Sequence, residues 1–306
     1  KPNPLDQPAS HSIHVALTFN DKYWALAYAV MRSICLTTTR RRELVFHLCH
    51  TKISPEHAAA HASIAEEFGA TLLHYDPEQH AGFQALVAQL PANDRFPPIV
   101  YTRLVLDQLL PAEIERVIYL DCDVMVCRQI EQLYEHDMGD KPIAAVFDPF
   151  HLGIKKGRDI RQKQTPFDTG DPYFNSGVML IDLKRYAAVN LPARIAEFAA
   201  SGVLKNLFFD QDMLNLVFLN NWQPLDWRFN VLNPKPAHES LHPVIVHYTS
   251  YSPPWKMFSG AAFKRFYRHV MTQDIYYRFM TERAPNWLAP IVGLMRGHST
   301  RGGDIK

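Results

Sequence analysis

Short apolar, β-branched runs alternate with helical patterns over the first 120 positions, and this alternation restricts the fold more than any other feature. The run "IHVALTF" (13–19) has strand length and ends at "ND", a helix-start signal followed by Trp24, Ala27, Tyr28, Met31 and Ile34 at helical spacing. "LVFHLCH" (44–50) reads as a second strand. Ser54 and Pro55 then open a helix as N-cap and first helical residue, and Gly69 closes it. "ATLLHYD" (70–76) gives a third strand, and helices are expected over 80–90 and 98–110 before the strand "RVIYL" (116–120). Such a succession predicts an α/β fold with a mostly parallel sheet covered on both faces.

The chain of 306 residues is 47% hydrophobic and 21% charged, the composition of a globular protein with a large core. No window reaches the roughly 18 apolar residues that a membrane span needs, and "KPNPLDQPASHS" lacks the apolar core of a signal peptide, so a cytoplasmic chain is expected. Cys35, Cys49, Cys122 and Cys127 lie in apolar runs without zinc spacing, which favours reduced thiols. The net charge of +1 conceals a basic C-terminal segment, in which residues 261–306 hold eight Lys/Arg against three Asp/Glu.

In open α/β sheets, ligands bind outside the carboxyl ends of the strands. The stretch "RVIYLDCDVMV" places Asp121 and Asp123 at one such end, and "IAAVFD" (143–148) places Asp148 at another. Two aspartates two residues apart point the same way in a strand or converge across a turn, and either arrangement suits a hard divalent ion. The strand "VIV" delivers His247, a plausible further ligand for manganese. Asp-x-Asp and a strand-end histidine are each common without a metal; their combination is what points to a site. Residues 149–172 read as a long loop, and "NSG" within "YFNSGVMLIDL" (173–183) interrupts a strand where the backbone can approach a ligand closely.

"VALTFND", "YTRLVLDQLLP" leading to "RVIYLDCDVMV", "YFNSGVMLIDLKRY", "FDQDMLN" and "VIVHYTSYSPPW" occur in one order. Together, over about residues 12–258, they resemble glycosyltransferase family 8, retaining sugar transferases that include bacterial lipopolysaccharide galactosyl- and glucosyltransferases and glycogenin. The resemblance implies a GT-A fold, a UDP-sugar donor and Mn2+, or Mg2+ in its place. It puts the metal motif on Asp121 and Asp123, flanking Cys122, and the metal histidine on His247. Arg103 matches the family arginine that contacts the nucleotide-sugar, and Leu17, Thr18, Asn20 and Asp21 match its nucleotide-binding first strand and turn. Asp148, Asn175, Gln211 and Asp212 match positions around the transferred sugar. The chain departs from the family's His-Tyr-x-Gly-x-x-Lys-Pro-Trp, with Ser250 at the glycine and Pro253 at the lysine. The loss of that lysine should weaken leaving-group stabilisation unless Lys256, just past Trp255, or a lysine or arginine of the long loop substitutes on the diphosphate.

On this resemblance the expected reaction is hexosyl transfer with retention. Gln211, an amide and so a poor nucleophile, is the only candidate at the family position for a covalent route, which favours same-face attack with the leaving phosphate as base. The expected donor is UDP-galactose or UDP-glucose and the expected acceptor a glycan or glycolipid such as a lipopolysaccharide core. Alternatives are a glycogenin-like or protein-linked glucan transferase, or a nucleotide-sugar binding protein with little turnover.

Residues 1–258 are expected to form the catalytic domain and 259–306 a basic, aromatic helical tail. Lys155, Lys156, Arg158, Arg161 and Lys163 read either as a solvated charge run or as a lid that attracts an anionic acceptor. The tail reads either as a helix packed on the domain or as a peripheral contact with anionic membrane, with no recognised nucleic-acid module.

Overall fold

The computed structural model describes residues 12–90, 97–149, 167, 171–206, 209–250 and 252–283. Its strands are β1 (Ile13–Phe19), β2 (Leu44–His50), β3 (Thr71–Tyr75), β4 (Arg116–Leu120), β5 (Val124–Val126), β6 (Ile143–Phe147), β7 (Phe174–Asp182), β8 (Gln223–Pro224), β9 (Val231–Leu232) and β10 (Ile245–His247). The helices are α1 (Trp24–Thr37), α2 (Pro55–Phe68), α3 (Ala81–Val87), α4 (Leu106–Leu109), α5 (Glu131–Tyr134), α6 (Leu183–Val189), α7 (Leu191–Ser201), α8 (Phe209–Val217), α9 (Lys264–Met271) and α10 (Gln273–Arg283).

The main sheet runs β3-β2-β1-β4-β7-β6-β8, parallel throughout except for β7, which is antiparallel to both its neighbours. A small second sheet, β5-β10-β9, stands beyond the end of β4. Both faces of β1 and β4 are buried, as their nearly continuous apolar sequence demands. One face packs on α1, the second sheet, α9 and α10; the other packs on α4, α6, α7 and α8.

Local signals explain the boundaries. The Ser54 hydroxyl accepts from His57 N, Pro55 follows it, and Gly69 ends α2 at φ 72°, a left-handed position open to glycine at little steric cost. The helix expected over 98–110 forms instead as a 3-10 helix over Pro98–Val105 followed by the short α4. Tyr186 Oη, donating to Arg103 O at 2.9 Å, pins the tighter path.

In α9 and α10, Tyr267, Val270, Met271, Ile275, Tyr276 and Phe279 join the same core as α1, and Arg32 Nη1 donates to the carbonyls of His269 and Val270. Residues 284–306 and the basic run Lys155, Lys156, Arg158, Arg161 and Lys163 lie outside the described residues. No described helix is long and apolar enough to cross a membrane. All four cysteines are free, and burial pushes the thiols of Cys35, Cys49 and Cys127 up to about 12.

Candidate functional site

The sheet's irregularities gather at one place. After Leu120, β4 breaks into a turn at Cys122 and Asp123 before β5 leaves for the second sheet. The two aspartates therefore converge across a turn rather than along a strand. Cys122 is buried with its Sγ 3.6 Å from Thr18 O, which leaves Asp121 and Asp123 on the open side. Opposite them, the pairing of β6 with β7 jumps from Ala145↔Met179 to Val146↔Asn175, so that Ser176, Gly177 and Val178 bulge from the ladder. Gly177 O accepts from Asp121 N at 2.8 Å, which brings the bulge against the aspartate turn.

His247 ends β10 in the buried strand that pairs with β5, and Tyr248 N donates to Asp123 O at 2.9 Å. One ligand atom from each of Asp121, Asp123 and His247 falls within 4.8 Å of the others, the one such cluster among the described residues. His247 Nε2 lies 3.0 Å from Asp123 Oδ1; the imidazole is 3% exposed and the carboxylate 32%. Burial lowers the imidazole's proton affinity, but Asp123, Asp121 and Asp148 outweigh it and leave the group above its ordinary value. A Cβ on Gly177 would meet His247 Cε1 at 2.4 Å and Asp121 Oδ2 at 2.6 Å, so the missing side chain is what lets the three residues close up.

Arg103 braces this cluster from behind. Its Nη2 donates to Asp121 Oδ1 at 2.8 Å, its Nη1 to Ser176 O at 2.9 Å, and its Nε lies 2.8 Å from Asp210 Oδ2. The Asp210 contact is close but poorly aligned for a hydrogen bond, so its value is mainly Coulombic. Burial still keeps the Asp210 carboxyl above its usual range despite the neighbouring guanidinium. Arg103 also lies over the Tyr119 ring at 4.4 Å, and Tyr119 Oη bonds both Asp121 Oδ1 at 2.9 Å and Thr18 Oγ1 at 2.8 Å.

A second network adjoins the first. Gln211, in the first turn of α8, accepts from Ser176 N at 3.0 Å through Oε1 and donates to Asp148 Oδ2 at 3.0 Å through Nε2. Asn175 Nδ2 reaches the same Asp148 oxygen at 3.2 Å. Tyr173 Oη donates to Asp212 Oδ1 at 2.5 Å and lies 3.3 Å from Gln211 Nε2. Asp210 sits in the first turn of α8.

Asp121, Asp123, His247, Arg103, Asp148, Asn175, Gln211 and Asp212 thus belong to one connected assembly. The remaining sequence candidates serve local structure or stand at the surface. Leu17 is fully buried, and Asn20 caps the 3-10 turn Asp21–Tyr23 by accepting from Lys22 N. Asp21 Oδ1 accepts from Ser54 N at 3.0 Å and lies 2.7 Å from His57 Nδ1. Burial would raise the Asp21 carboxyl, but those two bonds hold it below the usual range. Ser250 and Lys256 are exposed, and Pro253 is buried. Sequence reading did not single out Tyr119, Tyr173 or Asn230, and it met Asp210 only as a helix-start residue within "FDQDMLN". Tyr119 was within reach, because it shares a strand face with Asp121 two positions on.

Fold and site together define a glycosyltransferase of GT-A architecture. The chain belongs to glycosyl transferase family 8, whose family model matches residues 14–258. It is 23% identical over 278 residues to general stress protein A of Bacillus subtilis, covering 85% of this chain and 93% of that one. To the lipopolysaccharide 1,2-glucosyltransferase of Escherichia coli it is 22% identical over 284 residues, covering 88% and 80%. Among solved structures, the galactosyltransferase LgtC in complex with donor and acceptor sugar analogues superposes with a TM-score of 0.67 at 23% identity, over 85% of this chain and 95% of that one.

Proposed function

We propose that this glycosyltransferase is a metal-dependent, retaining hexosyltransferase that moves galactose or glucose from a UDP-sugar to a lipopolysaccharide-core or similar cell-surface glycan precursor. The observation that carries the reading is the convergence of Asp121, Asp123 and His247 around the gap left by Gly177. Two carboxylates and an imidazole suit Mn2+, or Mg2+ as the harder alternative, with positions left for phosphate oxygens. A cation held there would offset the negative charge that builds on a departing diphosphate.

The protein's own groups divide the remaining work. Arg103 holds Asp121 in place and adds positive charge behind it. Asp148, with Asn175 and Gln211 fixed against it, presents a carboxylate to sugar hydroxyls. The relative named lipopolysaccharide 1,2-glucosyltransferase and the solved galactosyltransferase LgtC support a hexose donor. Where the family lysine would stand is Pro253, and Lys256, exposed three residues later, is the group we assign to the diphosphate.

The test is the thermal midpoint with UDP, with Mn2+ and with both, for wild type and Asp123→Ala. A ligand selective for the folded state stabilises by about 2.7 kcal/mol at a hundredfold excess over Kd. We expect a rise of a few degrees that needs both ligands and vanishes in the variant. No rise at saturating ligand sinks the donor-site assignment.

A further inference from the structure

We propose that Asn230 is a positioning residue that fixes His247 for metal binding and ties it to the sugar-facing amides; the proposal rests on the metal reading above. Asn230 is 3% exposed and follows the 3-10 turn Trp227–Phe229, 17 residues before the histidine. Its Oδ1 lies 3.1 Å from His247 Nδ1, and its Nδ2 lies 2.9 Å from Asn175 Oδ1.

Two backbone donors settle which way each amide points. Gly177 N–H can only donate, so the Asn175 atom 3.0 Å away is an oxygen and its Nδ2 faces Asp148 and Gln211. Ser176 N–H likewise fixes Gln211 Oε1, which leaves Gln211 Nε2 to Asp148. Asn175 Oδ1 then requires a donor from Asn230, namely Nδ2. Asn230 must therefore turn Oδ1 to the imidazole, and Nδ1 must carry the hydrogen.

The other ring nitrogen follows by exclusion. With Nδ1–H committed to Asn230, Nε2 is the nitrogen that faces Asp123 Oδ1 at 3.0 Å; it can donate there in the metal-free protein and is the one that would offer its lone pair to a cation. A metal-binding histidine whose second nitrogen donates to a fixed acceptor is held in one tautomer and one ring orientation. Here the acceptor is part of a chain that runs His247, Asn230, Asn175, Asp148. The metal cluster and the sugar-facing carboxylate are thereby set by one continuous run of oriented amides.

The experiment has two readouts, and one of them needs no metal. In metal-free protein labelled with 15N-histidine, the hydrogen-bonded Nδ1–H of His247 is assigned by its absence in His247→Gln. It should be present in wild type, lost in Asn230→Ala and retained in Asn230→Asp, whose carboxylate still accepts. In parallel, Mn2+ is titrated into UDP-loaded protein. Affinity should fall about 10- to 100-fold in Asn230→Ala and by less in Asn230→Asp, which keeps an acceptor for Nδ1–H but loses the donor to Asn175 Oδ1. An Nδ1–H that persists in Asn230→Ala, or wild-type Mn2+ affinity in that variant, overturns the proposal. Should Asn230→Ala not fold, loss of the Nδ1–H signal in Asn230→Asp overturns it equally. A wild type that shows the Nδ1–H and binds no Mn2+ overturns the metal reading while supporting the placement of His247 by Asn230.

Discussion

Gly177 shows how much one absent methyl decides. Its backbone lies outside the left-handed region, so conformation admits alanine, and the added methyl instead displaces the side chains of His247 and Asp121. Gly177→Ala should therefore fold, with a far-UV spectrum like wild type, and bind Mn2+ at least tenfold more weakly in the presence of UDP. Gln211 leads to the opposite expectation. Its amide is engaged at both ends, by Ser176 N and by Asp148, which makes it part of the frame rather than an unencumbered nucleophile. Gln211→Ala should keep measurable transfer, reduced by about one to two orders of magnitude for a misplaced carboxylate, with the anomeric outcome unchanged by NMR of the product. A trapped adduct on residue 211 of the wild type would refute same-face attack. Asp121 and His247 were legible because each stands at the end of a recognisable strand, and Asp123 because it follows Asp121 by two positions. Asn230 was not, because its partner Asn175 is 55 residues away and only the folded chain unites them.

Strands β1, β2 and β4 were legible because both faces of a central parallel strand are apolar, and the edge strand β3 because Gly69 ends the helix before it. The reversed direction of β7 was not: a strand buried on both faces reads the same in either direction. The same strands carry a prediction. His14 Nδ1 meets His47 Nε2 at 3.0 Å, and His47 Nδ1 meets Tyr75 Oη at 2.9 Å, a chain across β1, β2 and β3. Burial, with the neighbouring His14, depresses His47 to about 3, and burial depresses His61 to about 4 against the pull of its bond to Trp24 O. Both are therefore neutral when folded, while the unfolded chain takes up protons below about 6.5. The unfolded state then binds more protons, and stability falls with acidification from about pH 6.5 toward 4, by about 1.4 kcal/mol per pH unit for each fully engaged group. In urea titrations between pH 4.5 and 6, His47→Phe should lower that slope by about 1.4 kcal/mol per pH unit. An unchanged slope would mean that His47 protonates within the fold.

Over the whole molecule, the site lies where two hydrophobic cores meet at the carboxyl rim of the sheet, and its parts arrive from widely separated stretches of chain. The helices α9 and α10 close one of those cores over α1. They also reach the site's border. Glu282 Oε2 accepts from Trp24 Nε1 at 2.9 Å, its Oε1 lies 3.2 Å from His57 Nε2, and Arg283 Nη2 donates to Lys22 O at 3.0 Å. The turn so gripped carries Tyr23, whose hydroxyl is raised by burial and next by the charge of Asp123. Phe279, 1% exposed, anchors α10, and its loss to alanine removes a buried ring at a cost of about 3–5 kcal/mol. Against a typical domain stability of about 5–15 kcal/mol this leaves a folded but weakened protein. The damage should not be uniform: α10 is released, and with it the turn Asp21–Tyr23 that Arg283 holds through Lys22 O, while β2 and β3 are held in the main sheet. Hydrogen exchange of Phe279→Ala should accordingly show faster exchange in α10 and in residues 20–24 than the global loss accounts for, with β2 and β3 following the global change alone. Uniform acceleration would show that the C-terminal helices contribute bulk burial and do not hold the turn, and the link from tail to site would be abandoned.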